Sequence, residues 1–262
     1  MATTTRITPN KICKRARRLP KAKCNIDPRI DLLDSALFKD KCVLDIGCNS
    51  GNITVALAKK KQPKHIHGVD IDESLIKKAE NNVRLVYSLS NPQGDDSEEP
   101  FDLTLASHHF PLSMTHMFGF LPMNAPPDFR STTFPYNVSF KAVDWTKERV
   151  EKEKYDTILA LSITKWIHIH GGDKGLKSFF KKIHDSLKVG GVFVLEAQEF
   201  KTFQRRAKHV DPSLDADEDL QFRPEHYKDY LLNEVGFKSF TDLGIPSNED
   251  KGFSRPVILY TK

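Results

Sequence analysis

The sequence predicts an α/β fold: a seven-stranded, doubly wound and mostly parallel sheet with helices packed on both faces. Two observations predict it. Short apolar runs alternate with segments whose apolar residues recur every three or four positions, which is the pattern of repeated strand–helix units. The 262 residues, 39% hydrophobic and 10% aromatic, are enough to bury one large core, and the sequence has no internal repeat.

Two strand–helix units are predicted at the start of the sheet. Residues 42–46 are an apolar run that predicts a buried strand, and residues 65–69 predict the next one. Ile53, Ala56 and Leu57 lie on one face of the helix between them. Asp72 is a candidate cap for a second helix, whose apolar stripe is Leu75, Ala79, Val83 and Val86.

The alternation stops at residues 88–135, which hold seven of the fifteen prolines and several acids. We predict an inserted, Pro-rich and partly disordered loop there. Strands are expected again at residues 137–143 and 155–161. Asp173 is a candidate cap for the clearest helix, which Gly190 and Gly191 would end, and its apolar face holds Leu176, Phe179, Phe180, Ile183 and Leu187. The last predicted elements are a strand at 192–195, a helix opened by Pro224 and closed by Gly236, and strands at 237–243 and 256–260.

Several classes of protein are disfavoured by what the sequence lacks. It has no run of about 18 apolar residues, and its basic N-terminus lacks the apolar stretch of a signal peptide, so we expect a soluble intracellular protein without membrane contact. The cysteines, at positions 13, 24, 42 and 48, have no C-x-x-C spacing, so neither a zinc site nor a disulfide framework is expected. His168 and His170 lack a third ligand at a suitable spacing, and no metal is predicted.

The net charge of +5 is unevenly distributed. Residues 1–24 contain eight Lys or Arg residues and no acid, so the other 238 residues carry a net charge of −3. We predict a flexible basic tail at 1–24 and one domain at 25–262. Such a tail favours a polyanionic partner such as RNA, or acts as a nuclear import signal, and these two interpretations are compatible.

A second basic cluster precedes an acidic run, and the change of sign predicts a loop. Either the residues of one charge face a ligand, or the basic and acidic residues pair with each other locally. The basic cluster is Lys201, Arg205, Arg206 and Lys208, and the acids are Asp211, Asp215, Asp217, Glu218 and Asp219.

The ends of the first predicted strands carry a nucleoside-binding pattern. Residues 47–51, here the glycine loop, have glycines at both ends, and Asp70 ends the second strand, where a carboxylate can accept both hydroxyls of a ribose. The loop is G-x-x-x-G and lacks the third glycine of a dinucleotide fingerprint, which favours S-adenosylmethionine over a dinucleotide. Asp144 and Trp145 follow the third strand and could meet the adenine, although packing of Trp145 in the core is the alternative.

Three motifs together make the sequence resemble the methylphosphate capping enzymes, the Bicoid-interacting protein 3 family. They are Val43-Leu44-Asp45-Ile46-Gly47-Cys48-Asn49-Ser50-Gly51, Val69-Asp70-Ile71-Asp72 and Leu161-Ser162-Ile163-Thr164-Lys165-Trp166-Ile167-His168. The resemblance runs from about Asp27 to Lys262, without the insert, and includes the ending Lys251-Gly252-Phe253-Ser254-Arg255-Pro256-Val257.

The resemblance implies a class I methyltransferase (Rossmann-like) fold, S-adenosylmethionine as cofactor, and methyl transfer to the terminal (gamma) phosphate of a 5′-triphosphate on a small non-coding RNA. We expect the protein in the nucleus, or in both the nucleus and the cytoplasm, with RNA-binding protein partners in a ribonucleoprotein. By position the resemblance implies that Arg29 reaches the methionine carboxylate. The implied cofactor contacts are Arg29, Gly47, Cys48, Asn49, Asp70, Ile71, Asp144, Trp145 and Leu161.

The sequence departs from the family at two places near the substrate. The stretch from Lys14 to Cys24 has no aromatic residue where the family has tyrosines, and residues 196–200 read Glu-Ala-Gln-Glu-Phe where the family tends to Glu-Pro-Gln-Pro-Trp. These departures motivate one alternative, a non-catalytic RNA-binding subunit of a small ribonucleoprotein. A methyltransferase for a 5′-monophosphate RNA is the other, and a dehydrogenase is disfavoured by the missing glycine.

A phosphate oxygen is an anionic nucleophile at neutral pH, so the predicted reaction requires placement and no strong base. Cations beyond the sheet edge would position the phosphates, and the candidates are Lys165, Lys201, Arg205 and Arg206. Trp166 could stack on the first base. The alternative is that Trp166 packs against the following helix and His168 bonds to the backbone.

Overall fold

The computed structural model describes residues 27–90, 112–123, 132–246 and 255–262. The predicted fold class is confirmed, because the strands form a single seven-stranded sheet in the order β3-β2-β1-β4-β5-β7-β6. The strands are β1 Cys42–Ile46, β2 His65–Asp70, β3 Val138–Ala142, β4 Tyr155–Leu161, β5 Leu187–Glu196, β6 Ser239–Asp242 and β7 Ile258–Thr261. The predicted tail at 1–24 and most of the predicted insert lie outside the described residues.

The strand order reverses between β1 and β4, and this reversal opens a ligand crevice at the carboxyl edge of the sheet. Strands β1 to β5 pair in parallel, with Leu44 opposite His67 of β2 and Ile158 of β4. β7 is antiparallel to both β5 and β6. The carboxyl ends of β1, β2, β3, β4 and β5 therefore meet at one edge.

The helices cover both faces of the sheet. The α-helices are α1 Arg29–Leu32, α2 Asn52–Lys60, α3 Glu73–Ser88, α4 Leu112–Phe118, α5 Thr164–Ser186, α6 Phe203–Val210, α7 Ala216–Asp219 and α8 Tyr227–Asp229. The predicted cap of α3 is confirmed, since Asp72 accepts hydrogen bonds from the amides of Ser74 at 2.8 Å and Leu75 at 3.4 Å. Within the described ranges, no helix is both long enough and apolar enough to cross a bilayer.

Successive side chains of a strand point to opposite faces of the sheet, so alternate residues pack into two separate cores. On one face, Leu44, Ile158 and Phe193 pack under α5 in an aromatic cluster. On the other face, Val43, Leu159 and Val194 pack with residues of α1 and α2. The two cores hold the strand ends in place and so position the carboxyl edge.

The predicted end of the long helix is wrong, whereas its predicted start coincides with a kink. α5 consists of two helices joined by a kink at Gly172 (φ 61°, ψ −170°), so the second helix begins at Asp173 as predicted, although the Asp173 carboxylate bonds to His168 and Phe222 and does not cap it. The helix ends at Ser186, and Gly190 and Gly191 lie inside β5, where the pairing with β4 shifts register. Glycine is a poor helix former, which is why the sequence and the structure both have a break just before Asp173.

Two segments that we predicted as loops are helical. The basic cluster lies on a 3₁₀ turn at Phe200–Thr202 and on α6, where Phe203 and Ala207 are fully buried. Part of the predicted insert forms α4. The charge pattern did not predict α6, because only two of its side chains, Phe203 and Ala207, are buried.

Candidate active site

The glycine loop turns sharply after β1, and both of its glycines are required by geometry. Gly47 has φ +75°, and a Cβ built there would lie 2.1 Å from Cδ1 of Ile163. Gly51 has φ +72°, and its Cβ would lie 2.8 Å from both Cβ of Ala79 and Cζ of Phe140. No side chain fits at either position, so the two glycines let the loop pack closely against Ile163, Ala79 and Phe140.

The amides of the glycine loop are satisfied within the protein. Those of Gly47 and Cys48 donate to the carbonyl of Val69, at 2.8 and 3.1 Å, and that of Gly51 donates to the carbonyl of Cys48 at 2.9 Å. The amide donors without an acceptor in their own helix are those of the first turn of α2, which begins at Asn52. An anion at this edge would therefore meet the helix N-terminus, as predicted, and not the loop itself.

Asp70 is fixed by main-chain donors from two segments. Its Oδ2 accepts from the amide of Asn49 at 2.9 Å, and its Oδ1 accepts from the amide of Asp72 at 3.0 Å. A carboxylate can accept about four hydrogen bonds, so these two leave capacity for the two hydroxyls of a ribose. The neighbouring Ile71 is 73% exposed and offers an apolar surface beside it.

Asp45 lies in β1 behind the glycine loop, and sequence reasoning missed it. The carboxyl is buried and accepts a hydrogen bond of 2.6 Å from Oγ1 of Thr54. Burial raises the pKa of Asp45 to about 6, against the opposing effects of the Thr54 hydrogen bond and Arg29. An acid inside the apolar run 42–46 was the available signal.

Arg29 lies beneath this edge and is held by two carboxylates. Its guanidinium donates to Oδ2 of Asp27 at 2.7 Å and to Oε2 of Glu196 at 2.5 Å, and the residue is 8% exposed. Burial works against its charge, but the hydrogen bond with Asp27 and the charge of Glu196 outweigh burial and raise the pKa of Arg29. Its contact with a methionine carboxylate stays a prediction.

Glu196 also connects the C-terminal segment to the site. Nη1 of Arg255 lies 3.6 Å from Oε1 of Glu196 and donates to Oγ of Ser162 at 2.9 Å. Ser162, which follows the buried Leu161 at the end of β4, has a left-handed backbone with φ 57°. The N-terminal, β4, β5 and C-terminal segments thus meet around one buried carboxylate.

Gln198 links the segments after β4 and β5. It is buried, its Nε2 donates to the carbonyl of Ser162, and its Oε1 accepts from Oγ1 of Thr164 and the amide of Lys165, both at 3.2 Å. The glutamine that the resemblance retains therefore holds the start of α5. Ala197 and Glu199, which replace the two prolines, leave these bonds in place.

The predicted adenine residues follow β3. Asp144 accepts from the amide and hydroxyl of Thr146, at 3.1 and 2.6 Å, and pairs with Lys147 at 3.1 Å. Trp145 is 8% exposed and packs edge-on against Phe179, with ring centroids 5.8 Å apart. The ring is part of the core, which fits the alternative interpretation, and its contact with the base stays a prediction.

Lys182 organises the loop after β3, and nothing in the local sequence indicated it. Its buried ammonium lies 4.5 Å from the centre of the Trp145 ring and donates to the carbonyls of Trp145, Thr146 and Glu148. Burial lowers the pKa of Lys182, against the attraction of Glu148 and Asp144. Lys182 thus supplies the hydrogen-bond donor for three main-chain carbonyls of the loop.

Lys165, Trp166 and Arg206 form a cluster, here the cationic cluster, at the carboxyl edge. Nζ of Lys165 and Cζ of Arg206 each lie 5.7 Å from the centre of the Trp166 ring, which is 38% exposed. Lys165 is nearly buried and donates to Oγ1 of Thr202 at 3.3 Å. Burial, then Arg255 and Arg206, lower the pKa of Lys165.

The remaining predicted cations, Lys201 and Arg205, are exposed. Lys201 pairs with Glu199, which fits the local-pairing alternative at that residue. Arg205 and Arg206 are exposed on α6 and have no ion pair within the ranges that the structure describes. The structure thus brings Lys165 and Arg206 together and leaves Arg205 and Arg206 available to an anion.

His168 is fully buried, and the expected backbone bond is wrong. Its Nε2 lies 2.7 Å from Oδ1 of Asp173, whose other oxygen accepts from the amides of Gln221 and Phe222 at 3.3 and 3.1 Å. Burial lowers the pKa of His168, against the hydrogen bond and charge of Asp173. In the part of the chain that the structure describes, no three His, Cys, Asp or Glu side chains converge as metal ligands.

Comparison with known proteins places this geometry in a family context. The family model described as Bicoid-interacting protein 3 matches residues 155–262, and one described as a methyltransferase domain matches residues 37–95. The 7SK snRNA methylphosphate capping enzyme of Homo sapiens is 34% identical over 255 residues, which cover 90% of this chain and 37% of that protein. The chain therefore spans well under half the length of this human relative.

A shorter relative matches over most of its length. The U6 snRNA methylphosphate capping enzyme Amus of Drosophila melanogaster is 33% identical over 239 residues, which cover 90% of this chain and 68% of that protein. Among solved structures, a SAM-dependent methyltransferase from Methanosarcina mazei superimposes with a TM-score of 0.50 at 18% identity, covering 89% of this chain and 96% of that one. That likeness shows the fold alone.

Proposed function

Because the chain belongs to the Bicoid-interacting protein 3 family, we propose that it transfers a methyl group from S-adenosylmethionine to the terminal phosphate at the 5′ end of a small non-coding RNA. The observation that carries the proposal is the Asp70 carboxylate, held by two main-chain amides beside the glycine loop. The cationic cluster lies beyond the ends of β4 and β5 at the same edge of the sheet, so a nucleoside site and an anion site share this edge.

The residues at the edge fit the cofactor. The glycine loop leads from β1 into the N-terminus of α2, Asp70 has acceptor capacity for the ribose, and the exposed Ile71 suits the apolar face of adenine. The first-turn amides of α2 suit the methionine carboxylate, and Arg29, which is already paired with Asp27 and Glu196, is the cation proposed beside it. When bound, S-adenosylmethionine supplies an electrophilic methyl group on its sulfonium.

The chain itself supplies placement. A phosphate oxygen is already anionic, so Lys165, Arg205 and Arg206 bind and orient the 5′ phosphates, and Lys201 adds charge at the rim. Holding two reactants in line can account for about 7 to 11 kcal/mol of a barrier. The exposed Trp166 ring offers a stacking surface for the first base, close to the cations of Lys165 and Arg206.

The proposed substrate class is an RNA with a 5′-triphosphate, and the proposed location is the nucleus. Two features support them. The basic residues of 1–24 suit RNA and nuclear import, and the exposed arginines of α6 suit several phosphates better than one. RNA-binding protein partners in a ribonucleoprotein belong to the same proposal.

The test uses radiolabelled S-adenosylmethionine and one short RNA that carries a 5′-triphosphate, 5′-monophosphate or 5′-hydroxyl end. Methyl label on the triphosphate RNA alone, resistant to phosphatase, is the expected result. Asp70→Ala serves as the control without a cofactor site. Label on the monophosphate RNA would show that the acceptor is a 5′-monophosphate.

A matched pair of variants tests the cations. Arg206→Gln removes a charge from the cationic cluster, and Lys208→Gln removes one from the same helix outside the cluster. We expect Arg206→Gln to lower kcat/KM for the triphosphate RNA about tenfold, and Lys208→Gln to change it less than twofold. Equal effects would contradict a specific role of the cationic cluster.

One observation favours a second candidate function, a non-catalytic RNA-binding subunit. Ala197 and Glu199 stand at the substrate side where the family tends to proline. Tight RNA binding by the wild type, with no label on any of the three RNA ends, would make this the function.

A further inference from the structure

Five lysines converge at the edge of the sheet opposite the candidate active site. They lie in two segments, residues 39–41 before β1 and residues 60–64 before β2, and we call them the lysine patch: Lys39, Lys41, Lys60, Lys61 and Lys64. The segments lie at the amino ends of their strands. Since β1 spans five residues at about 3.3 Å each, the patch is roughly 17 Å of strand away from the glycine loop.

Main-chain hydrogen bonds hold the two segments of the patch together. Lys39 forms an antiparallel bridge with Pro63. The amide of Asp40 donates to the carbonyl of Gln62 at 3.1 Å, and the amide of His65 donates to the carbonyl of Lys41 at 3.3 Å. The buried Asn137 adds hydrogen bonds from its Nδ2 to the carbonyls of Ala58 at 3.0 Å and Pro63 at 3.2 Å. The lysines therefore project from an ordered base.

Little of the patch's charge is neutralised locally: Asp156 of β4 attracts Lys41, but that carboxylate is already paired with Lys188 at 2.8 Å. Within the residues that the structure describes, none of the five lysines has an acidic group within 4 Å, and Asp40 is the single acid of the two segments. Lys60 is in the last turn of α2, where its positive charge interacts favourably with the helix dipole. Lys39, Lys41 and Lys64 lie outside the helix and have no such role. A cluster of this kind on a body of net charge −3 favours a polyanion.

The chemistry of the patch selects the kind of polyanion. Its segments contain lysines and no aromatic residue, so the patch offers point charges for phosphates and no surface for stacking bases. Such contacts bind nucleic acid without reading sequence. We propose that the lysine patch binds the phosphate backbone of a base-paired stem in the same RNA whose 5′ end occupies the carboxyl edge. The inference rests on the proposed RNA substrate and extends it to a second surface.

The test compares two 5′-triphosphate RNAs with the same first nucleotides, one of about four nucleotides and one that continues into a stem. Lys39→Glu/Lys60→Glu/Lys64→Glu changes three exposed patch positions, and Lys78→Glu/Lys174→Glu/Lys181→Glu makes the same charge change at exposed positions on α3 and α5. Dissociation constants are measured against salt concentration, and melting curves establish that both variants fold.

We expect the patch variant to bind the stem RNA about tenfold more weakly at 150 mM salt, with a salt slope smaller by about 2 to 3. Its binding and methylation of the short RNA should equal the wild type, and the control variant should change stem binding less than twofold. Equal stem binding by the two variants overturns the inference, and is also the outcome if an acidic protein is the partner. Absence of methylation in the wild type would contradict the proposed function alone, because stem binding is measured separately.

Discussion

The carboxylate of Asp70 accepts a hydrogen bond of 2.9 Å from the main-chain amide of Asn49, across the gap between the ends of β2 and β1. This bond joins the two sequence features that predict the cofactor site. It holds Asn49 in a left-handed backbone conformation with φ 51° and aligns the carboxylate before any ligand binds. Preorganisation of this kind lowers the cost of binding.

Asp70→Ala should therefore weaken S-adenosylmethionine binding by about thirtyfold or more, because hydrogen bonds to a charged group contribute about 2 kcal/mol each. Isothermal titration calorimetry measures the affinity. RNA binding should stay near the wild-type value, since the cationic cluster lies beyond the ends of other strands. Parallel loss of both affinities would count against the ribose role.

Gly47→Ala should lower the free energy of unfolding by about 2 kcal/mol or more, since the new methyl would overlap Ile163 and φ is +75°. Urea unfolding measures the loss. Adding Ile163→Ala should remove the overlap but leave the backbone strain, so the cost of Gly47→Ala should shrink without vanishing. An unchanged cost in the Ile163→Ala background would show that the overlap is not the cause.

Lys182→Met keeps the length of the side chain but leaves three carbonyls without their buried donor. We expect a loss of stability of about 1 to 3 kcal/mol and a higher KM for S-adenosylmethionine with a smaller change in kcat. Lys181→Met, an exposed neighbour, is the control. An unchanged KM would separate the loop after β3 from cofactor binding.

Stability should fall as the pH drops below about 6.5. His65 and His67 share the hydroxyl of Ser139, at 2.7 and 2.8 Å, and burial, with the nearby charge of Lys154, lowers the pKa of both. The unfolded chain then binds protons that the folded chain does not. Their contribution is complete above the unfolded pKa of about 6.5 and is lost as the pH falls towards the folded values.

The check is urea unfolding of the wild type and His65→Gln/His67→Gln at pH 7.5 and 5.5. The double variant should lose less stability between the two pH values. Asp45 acts in the opposite direction below about pH 6, because its raised pKa makes the folded chain take up the extra proton, and it is common to both proteins. Identical pH dependence would refute the histidine contribution.

Deletion of residues 1–24 removes eight positive charges and should weaken RNA binding and flatten its salt dependence. Fluorescence anisotropy at several salt concentrations measures both. Methylation of a four-nucleotide RNA should change little, because so short a substrate extends little beyond the site. If the salt dependence of RNA binding equals that of the full chain, residues 1–24 act as a nuclear import signal alone.

Much of the fold follows from local pattern. The strand at Tyr155–Leu161 and the cap at Asp72 were predicted correctly, because a buried strand requires a continuous apolar run and a helix start requires a side-chain acceptor. The glycine loop and Asp70 were recognised for a similar reason, since turn geometry and the acid after β2 are local in sequence.

The features that local pattern missed or left undecided share one cause, which is that their packing partners lie far away along the chain. Trp145 enters the core because Phe179 and Lys182, more than thirty positions later, cover its ring. α6 forms because Phe203 and Ala207 pack with Ile169, Ala216 and Leu220, a contact that charge pattern does not display.

By itself the sequence determined the class of fold, the family and the nucleoside pattern, since periodicity, turn residues and motifs are properties of neighbouring positions. Only the tertiary structure decided which groups are shared between segments. Glu196 between Arg29 and Arg255, Gln198 between the ends of β4 and β5, and Lys182 under the loop after β3 all join residues more than thirty positions apart. A buried charge or amide is stable only where distant groups complete its hydrogen bonds, and that completion exists only in the folded chain.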